Sequence, residues 1–263
     1  MKYFDSKVKK TCGRKKYIML VLPLVSILIA FVASIFGIGG GILLFPVLVF
    51  FGIPVHQAVS VTVAGAFITS LSSTIVYIGK KKTNIKLALK LEIIAVPASL
   101  LGAYAFINFD EGVIKTTYGV VMLIVGLIML VNFTPKEPKK YRKVPLIKLP
   151  ILYPIIGIAG FVAGFLGIGG GSIKGPALIA TEGMEAKKAA ATSSLMVVVT
   201  LFFALIAHLF VSVIPFDLLL ETVPFLFIGA QIGARIQGKL KSRDIKIGFG
   251  FILLAVALQL LFF

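Results

Sequence analysis

The sequence predicts an all-α polytopic membrane protein of two inverted-topology repeats, each with about three spanning helices plus a broken or re-entrant helix pair at a GIGGG motif. Composition is the first observation behind this reading: 59% of residues are hydrophobic and the mean hydropathy is +1.06, whereas a soluble domain is roughly half apolar. The second is the phrase GIGGG itself, which stands at 37–41 and again at 167–171 inside apolar segments. The third is an internal match between the two halves of the chain.

A helix needs about 20 apolar residues to cross a hydrocarbon core of about 30 Å. Runs of that kind cover 17–36, 57–79, 87–107, 112–133, 188–213, 216–234 and 245–263. The runs 42–52 and 172–181 follow the glycine phrases and are too short to span, and 150–166 is of borderline length. No small-residue cleavage site follows the basic N-terminus, so the first run reads as a membrane segment and not as a signal peptide. The expected organisation is a basic tail at 1–16, a first membrane repeat at 17–133, a basic cytoplasmic linker at 134–149 and a second membrane repeat at 150–263.

The repeat is dense where it is strongest. A slip of 130 superposes Gly37 on Gly167, Gly41 on Gly171 and Pro46 on Pro176. One further residue, 131, pairs Ala58 with Ala189, Thr62 with Ser193, Gly102 with Gly233, Ala103 with Ala234, and Gly119 with Gly250. Such a period is too long for a solenoid unit and suits the repeated halves of a transporter. The loops give the orientation, because the basic loop KKKTNIK at 80–86 corresponds to SVIPFD at 212–217, which has no base, and NFDE at 108–111 corresponds to the basic stretch GKLKSRDIK at 238–246. Bases mark the cytoplasmic side, so corresponding loops face opposite sides and the halves are inverted. The tail runs against this pattern: seven bases in residues 1–16 favour an inside N-terminus, where inversion with a re-entrant first run puts it outside.

The formal charge of +17 has a bland explanation. Of the 27 Lys and Arg, seven lie in 1–16, five in 80–90, six in 136–148 and five in 235–246, at helix ends and in loops. That is the positive-inside distribution, with lipid headgroups as a natural contact, and the chain has no compact soluble domain to present a nucleic-acid surface. The lone Cys12 supports no disulfide framework or thiolate metal site, and His56 and His208 have no acid or thiol at metal-ligand spacing, so no metal and no cofactor is expected. No Ser-His, HExxH or paired-acid arrangement stands in the apolar segments, and no GxxxxGK[ST] phrase, so neither an enzyme nor an ATP-driven pump is expected.

In hydrocarbon, irregular backbone persists only where protein or a wet cavity surrounds it. The glycines Gly37, Gly39, Gly40 and Gly41, and their partners Gly167, Gly169, Gly170 and Gly171, therefore mark a protected place. The short apolar runs after them would be helices whose N-terminal amides converge on one point, which attracts anions. Close packing of the GxxxG type is the competing explanation for such glycines. Ser172 and Lys174 belong to the second phrase; Lys174, where the first repeat has Leu44, either supplies positive charge to an anion pathway or snorkels to the interface from a shallow segment. Thr62, Thr192 and Ser193 add hydroxyls, with Ser60, Ser194, Gln57 and Gln231 as weaker candidates. Glu92 and Glu221, inside apolar helices, are the candidates for carrying a proton.

These residues resemble the TauE/SafE-type sulfite exporters of the toluene sulfonate uptake permease superfamily. The likeness rests on the paired glycine phrases, the proline that follows each, and AVSVT at 58–62 with AAATS at 189–193, and it spans 17–263. The first repeat departs from the family's Ala-x-x-Thr-Ser phrase, with Val61 where the second has Thr192. The resemblance implies a multi-pass protein of the cell membrane that moves small sulfur-containing anions (sulfite, thiosulfate, sulfonates or related organosulfur anions). A secondary, proton-linked, alternating-access mechanism fits the absence of a nucleotide-binding phrase, and since two inverted halves can form a complete pathway, the expected state is monomer or homodimer. An anion channel and a membrane scaffold without transport are the alternatives.

Overall fold

The computed structural model describes residues 21–131, 149–211, 214–237 and 242–262. The tail 1–16 and nearly all of the linker 134–149 lie outside them. Every regular element among the described residues is helical. In chain order these are α1 (Val21–Phe36), α2 (Gly41–Phe50), α3 (Val55–Gly79), α4 (Ile85–Phe106), α5 (Glu111–Val131), α6 (Leu149–Leu166), α7 (Gly171–Glu182), α8 (Ala186–Val211), α9 (Phe216–Ile236) and α10 (Ser242–Phe262).

Among the described residues four helices, α3, α5, α8 and α9, are long and apolar enough to cross a membrane. Seven runs of that length stood in the sequence, and the other three fall on α4, α1 and α10. α4 is long enough at 22 residues, but Lys86, Lys90 and Glu92 interrupt its apolar stretch near the N-terminal end. α1 and α10 offer shorter apolar helices, Val21–Phe36 and Ile247–Phe262, among the described residues.

Local chemistry sets the helix boundaries. Pro54 and Pro215 stand immediately before α3 and α9 in extended conformation, where a missing N–H is harmless. Asn84 caps α4, its Oδ1 accepting from the Leu87 amide at 3.2 Å. Gly183 ends α7 in the left-handed conformation. Both glycine phrases are helix breaks: α1 stops at Phe36 and α2 starts at Gly41, while α6 stops at Leu166 and α7 starts at Gly171. Gly37 and Gly39 (φ +66° and +81°) and Gly167 and Gly169 (φ +73° and +86°) turn the chain in a region closed to most side chains.

Helix pairings recur between the halves. α3 packs on α9 as α8 packs on α4, and α2 packs on α3 as α7 packs on α8. The contact of α4 with α6 is matched by that of α9 with α1: a Cβ on Gly102 would lie 2.2 Å from the Phe161 carbonyl oxygen, and one on Gly233 would lie 2.2 Å from that of Phe31. Only residues without a side chain permit so close an approach. α3 and α8 run antiparallel at the centre, with Ser73 sharing a 2.9 Å hydrogen bond with Ser194 and Phe67 ringed against Phe202 at 6.2 Å. α5 and α10 are also antiparallel, Gly119 facing Leu261 and Gly126 facing Leu254.

Side-chain contacts fix which helix ends lie together. Lys80, at the end of α3, donates to the carbonyls of Ala234 (3.2 Å) and Arg235 (2.9 Å) in the last turn of α9, where a cation complements the helix dipole. The C-terminal ends of α3 and α9 therefore lie together. The opposite end joins His56 at the start of α3 to Glu111 at the start of α5, at 3.5 Å. There the Phe106 ring lies between the rings of His56 and His208, 5.0 Å from each.

Candidate functional site

The two glycine phrases meet each other in the interior, and all ten of their residues are buried. A Cβ on Gly41 would lie 2.4 Å from the Gly167 carbonyl oxygen, and one on Gly171 would lie 2.4 Å from that of Gly37. A central helix backs each phrase: Gly37 abuts Ala190 of α8, Gly167 abuts Val59 and Val63 of α3, and Val197 reaches both Gly39 and Gly169. Close packing and a broken helix thus occur in the same place. The two phrases differ at one torsion, since Gly40 is right-handed (φ −66°) and Gly170 left-handed (φ +67°). Neither α2 nor α7 has a side-chain cap on its first-turn amides.

Hydroxyls line this junction unequally. Ser193 donates toward the carbonyls of Gly37 (3.1 Å) and Gly171 (3.2 Å), one from each phrase. Its repeat partner Thr62 turns its methyl to Gly41, and the Thr62 hydroxyl has no partner. The Ser172 hydroxyl, in the first turn of α7, is buried without a partner as well, as is that of Ser70 beside Gly39. Thr192 faces elsewhere and accepts the Asn84 amide at 3.1 Å. Of the weaker candidates, Gln231 donates to the Ser72 carbonyl at 3.1 Å, Ser60 to that of His56 at 2.9 Å, and Ser194 pairs with Ser73. Gln57 is half-buried near the start of α3.

Lys174 is fully buried, 0% exposed, where a snorkelling side chain would reach the surface. Its ammonium donates to Glu92 Oε1 at 2.7 Å, to the Thr200 hydroxyl, and more weakly to the Met196 carbonyl at 3.5 Å. Thr200 in turn donates to Glu92 Oε2, which closes a three-membered ring of charge and hydroxyl. Glu92 is 2% exposed, so both ions are out of solvent and each is the other's counter-ion. Coulomb attraction and charge-assisted hydrogen bonds repay part of the desolvation cost of burying them. Glu221 is half-buried on α9 and takes no part in this ring.

Sequence reasoning named Lys174 and Glu92 separately, for different roles, and missed Thr200. The three come from α7, α4 and α8, and 82 residues separate the charged pair. Thr200 had one available signal, its place opposite Thr69 at the repeat spacing inside an apolar run. Tyr118 was also missed. Its hydroxyl donates to the Gly41 carbonyl at 2.8 Å and its ring stacks on Phe45 at 3.9 Å, which ties α5 to the first phrase.

The chain is similar to several known membrane proteins. The chain is 26% identical to the probable membrane transporter protein YunE of Bacillus subtilis, over 92% of this chain and 97% of that protein. It is 28% identical to a probable membrane transporter protein of Methanocaldococcus jannaschii, over 92% of this chain and 96% of the relative. The probable membrane transporter protein YfcA of Escherichia coli is 26% identical over 84% of this chain and 79% of its own length. No solved structure matches the chain. The sulfite exporter TauE/SafE family matches over residues 22–260, so that this multi-pass membrane transporter belongs to that family.

Proposed function

We propose that the protein is a secondary carrier in the cell membrane for small sulfur-containing anions, such as sulfite, thiosulfate or a small sulfonate, driven by a proton gradient through alternating access. The observation that carries this reading is the junction of the two broken helices, where the buried hydroxyls of Thr62 and Ser172, without a partner among the described residues, stand beside the uncapped first turns of α2 and α7, with Lys174 in that turn of α7. Hydroxyls and amide dipoles stabilise an anion without a permanent counter-charge, which allows release. Glu92 and Glu221 are the candidate proton-carrying groups.

The halves 17–133 and 150–263 act in this reading as inverted repeats, each with a pair of helices that enters and returns at its glycine phrase. Two features support inversion. The equivalent helices α3 and α8 are antiparallel, and the C-terminal ends of α3 and α9, each followed in sequence by a basic stretch, lie together. An inverted pair can exchange the conformations of its halves and so open the same site to either side.

The test is flux into proteoliposomes of the purified protein, with sulfite, thiosulfate, sulfate and methanesulfonate each offered with and without a proton gradient. Saturable, gradient-driven uptake with counterflow is the expected result. Uptake that rises linearly with concentration and shows no counterflow would make the protein a channel, and transport of none of these anions would overturn the assignment.

A further inference from the structure

We propose that Glu92 and Lys174 form a proton–anion exchange pair: a substrate anion takes the place of the Glu92 carboxylate at the Lys174 ammonium, and Glu92 takes up a proton as it lets go. This rests on the carrier reading above and gives that carrier its coupling step. Geometry supplies the reason. With both groups buried and bonded at 2.7 Å, the site is neutral as it stands. An anion that arrived alone would leave a net negative charge out of solvent, and a proton that arrived alone would leave the ammonium uncompensated; each is strongly unfavourable. Their joint arrival preserves neutrality. The proton resides on a Glu92 oxygen, the Lys174 ammonium keeps its own three protons, and no other group changes charge.

Thr200 suits the exchange because its hydroxyl both accepts from Lys174 and donates to Glu92. A hydroxyl can reverse its donor direction when the carboxylate becomes a carboxylic acid. Lys174 also lies in the first turn of α7, its amide bonded to the Gly170 carbonyl at 2.9 Å, so the backbone that carries the ammonium continues directly from the glycine junction. The other ionisable groups on the surrounding elements lie apart from the pair. Lys86 and Lys90 on α4 and Lys187 and Lys188 on α8 are exposed, while Glu182 on α7 and Tyr153 on α6 are half-buried. His208 on α8 faces the Gly164 carbonyl; on α3, His56 faces Glu111 and Tyr77 bonds the Ser34 carbonyl. The first half has no second copy of the device, since Leu44 and Val223 stand at the equivalent positions.

The test uses the full-length protein and methanesulfonate, which keeps a single negative charge at every working pH. Coupled binding predicts that the apparent affinity of the wild type rises about tenfold for each unit the pH falls, the slope for one proton taken up per anion. E92Q imitates the protonated carboxyl, so its affinity should become independent of pH, with exchange continuing while uphill accumulation on a proton gradient is lost. K174M should bind no anion. An E92Q carrier that keeps the wild-type pH slope, or a K174M carrier with wild-type affinity, would overturn the pair. Should the variants fail to fold, proton uptake by the wild type on adding methanesulfonate in weakly buffered detergent decides the matter: one proton per anion supports the exchange, and none removes it. A wild type that transports with no pH dependence refutes this inference alone, whereas one that moves no anion refutes the carrier reading and the inference together.

Discussion

The surroundings of the two glycine phrases differ more than the phrases do. Around the second, Lys174, Glu92 and Thr200 form a buried ring of charge and hydroxyl. The equivalent positions around the first are Leu44, Val223 and Thr69: Leu44 packs against Gly65 with Leu226, and Thr69 turns its hydroxyl back to the Gly65 carbonyl at 2.8 Å. One frame was thus filled once with apolar contacts and once with an ion pair. Since the apolar version packs without difficulty, the ion pair is not required by the frame. A buried pair is seldom more stable than well-packed hydrophobic residues of similar volume, so its presence in one half points to use rather than to support.

Breaking one member of the ring should give the largest effect. K174M leaves Glu92 as an unpaired buried charge and should destabilise the fold by about 3–5 kcal/mol, while L44M at the equivalent site should cost less than about 1.5 kcal/mol; thermal unfolding in detergent compares the two. Replacing both ions, K174L with E92V, rebuilds the second half like the first. That double variant should recover most of the stability lost by K174M and transport nothing, which would separate the role of the pair in the fold from its role in flux.

The backbone difference gives an intermediate effect. G170A demands a left-handed alanine and sets its Cβ 2.5 Å from the Ala159 carbonyl oxygen, so a loss of about 3 kcal/mol or more is expected. G40A keeps an allowed conformation and meets the Thr69 side chain, its hydroxyl nearest at 2.8 Å, so its loss should be nearer about 1 kcal/mol. The hydroxyls supply the smallest contrast. S193A removes a donor to two carbonyls and should cost about 1 kcal/mol. T62V removes a hydroxyl with no partner and should leave stability unchanged or slightly raised, while weakening anion affinity if that hydroxyl serves the substrate.

The helices were largely legible beforehand. The runs 42–52 and 172–181 became α2 and α7, and the segment 150–166 became α6. The breaks at GIGGG were legible for the same reason, since consecutive glycines disfavour a helix wherever they stand. The site was legible only as separate residues. Glu92 was marked with Glu221 because both are carboxylates inside apolar helices, and Lys174 was marked as the lone base in a glycine segment. Nothing in local pattern distinguishes Glu92, buried against a base, from Glu221, half-buried on α9.

By itself, therefore, the sequence determined the membrane setting, the helical elements and the doubled break, because hydropathy, helix propensity and glycine's torsional freedom act within one or two turns of chain. The tertiary structure alone decided that the two phrases press on each other, that Ser193 is bonded where Thr62 is not, and that Lys174 meets Glu92. Those outcomes depend on which helix faces which, across 82 residues of chain for Lys174 with Glu92 and 156 for Ser193 with Gly37, and a charge in a low-dielectric interior is governed by the groups within a few ångströms, whatever their distance along the sequence.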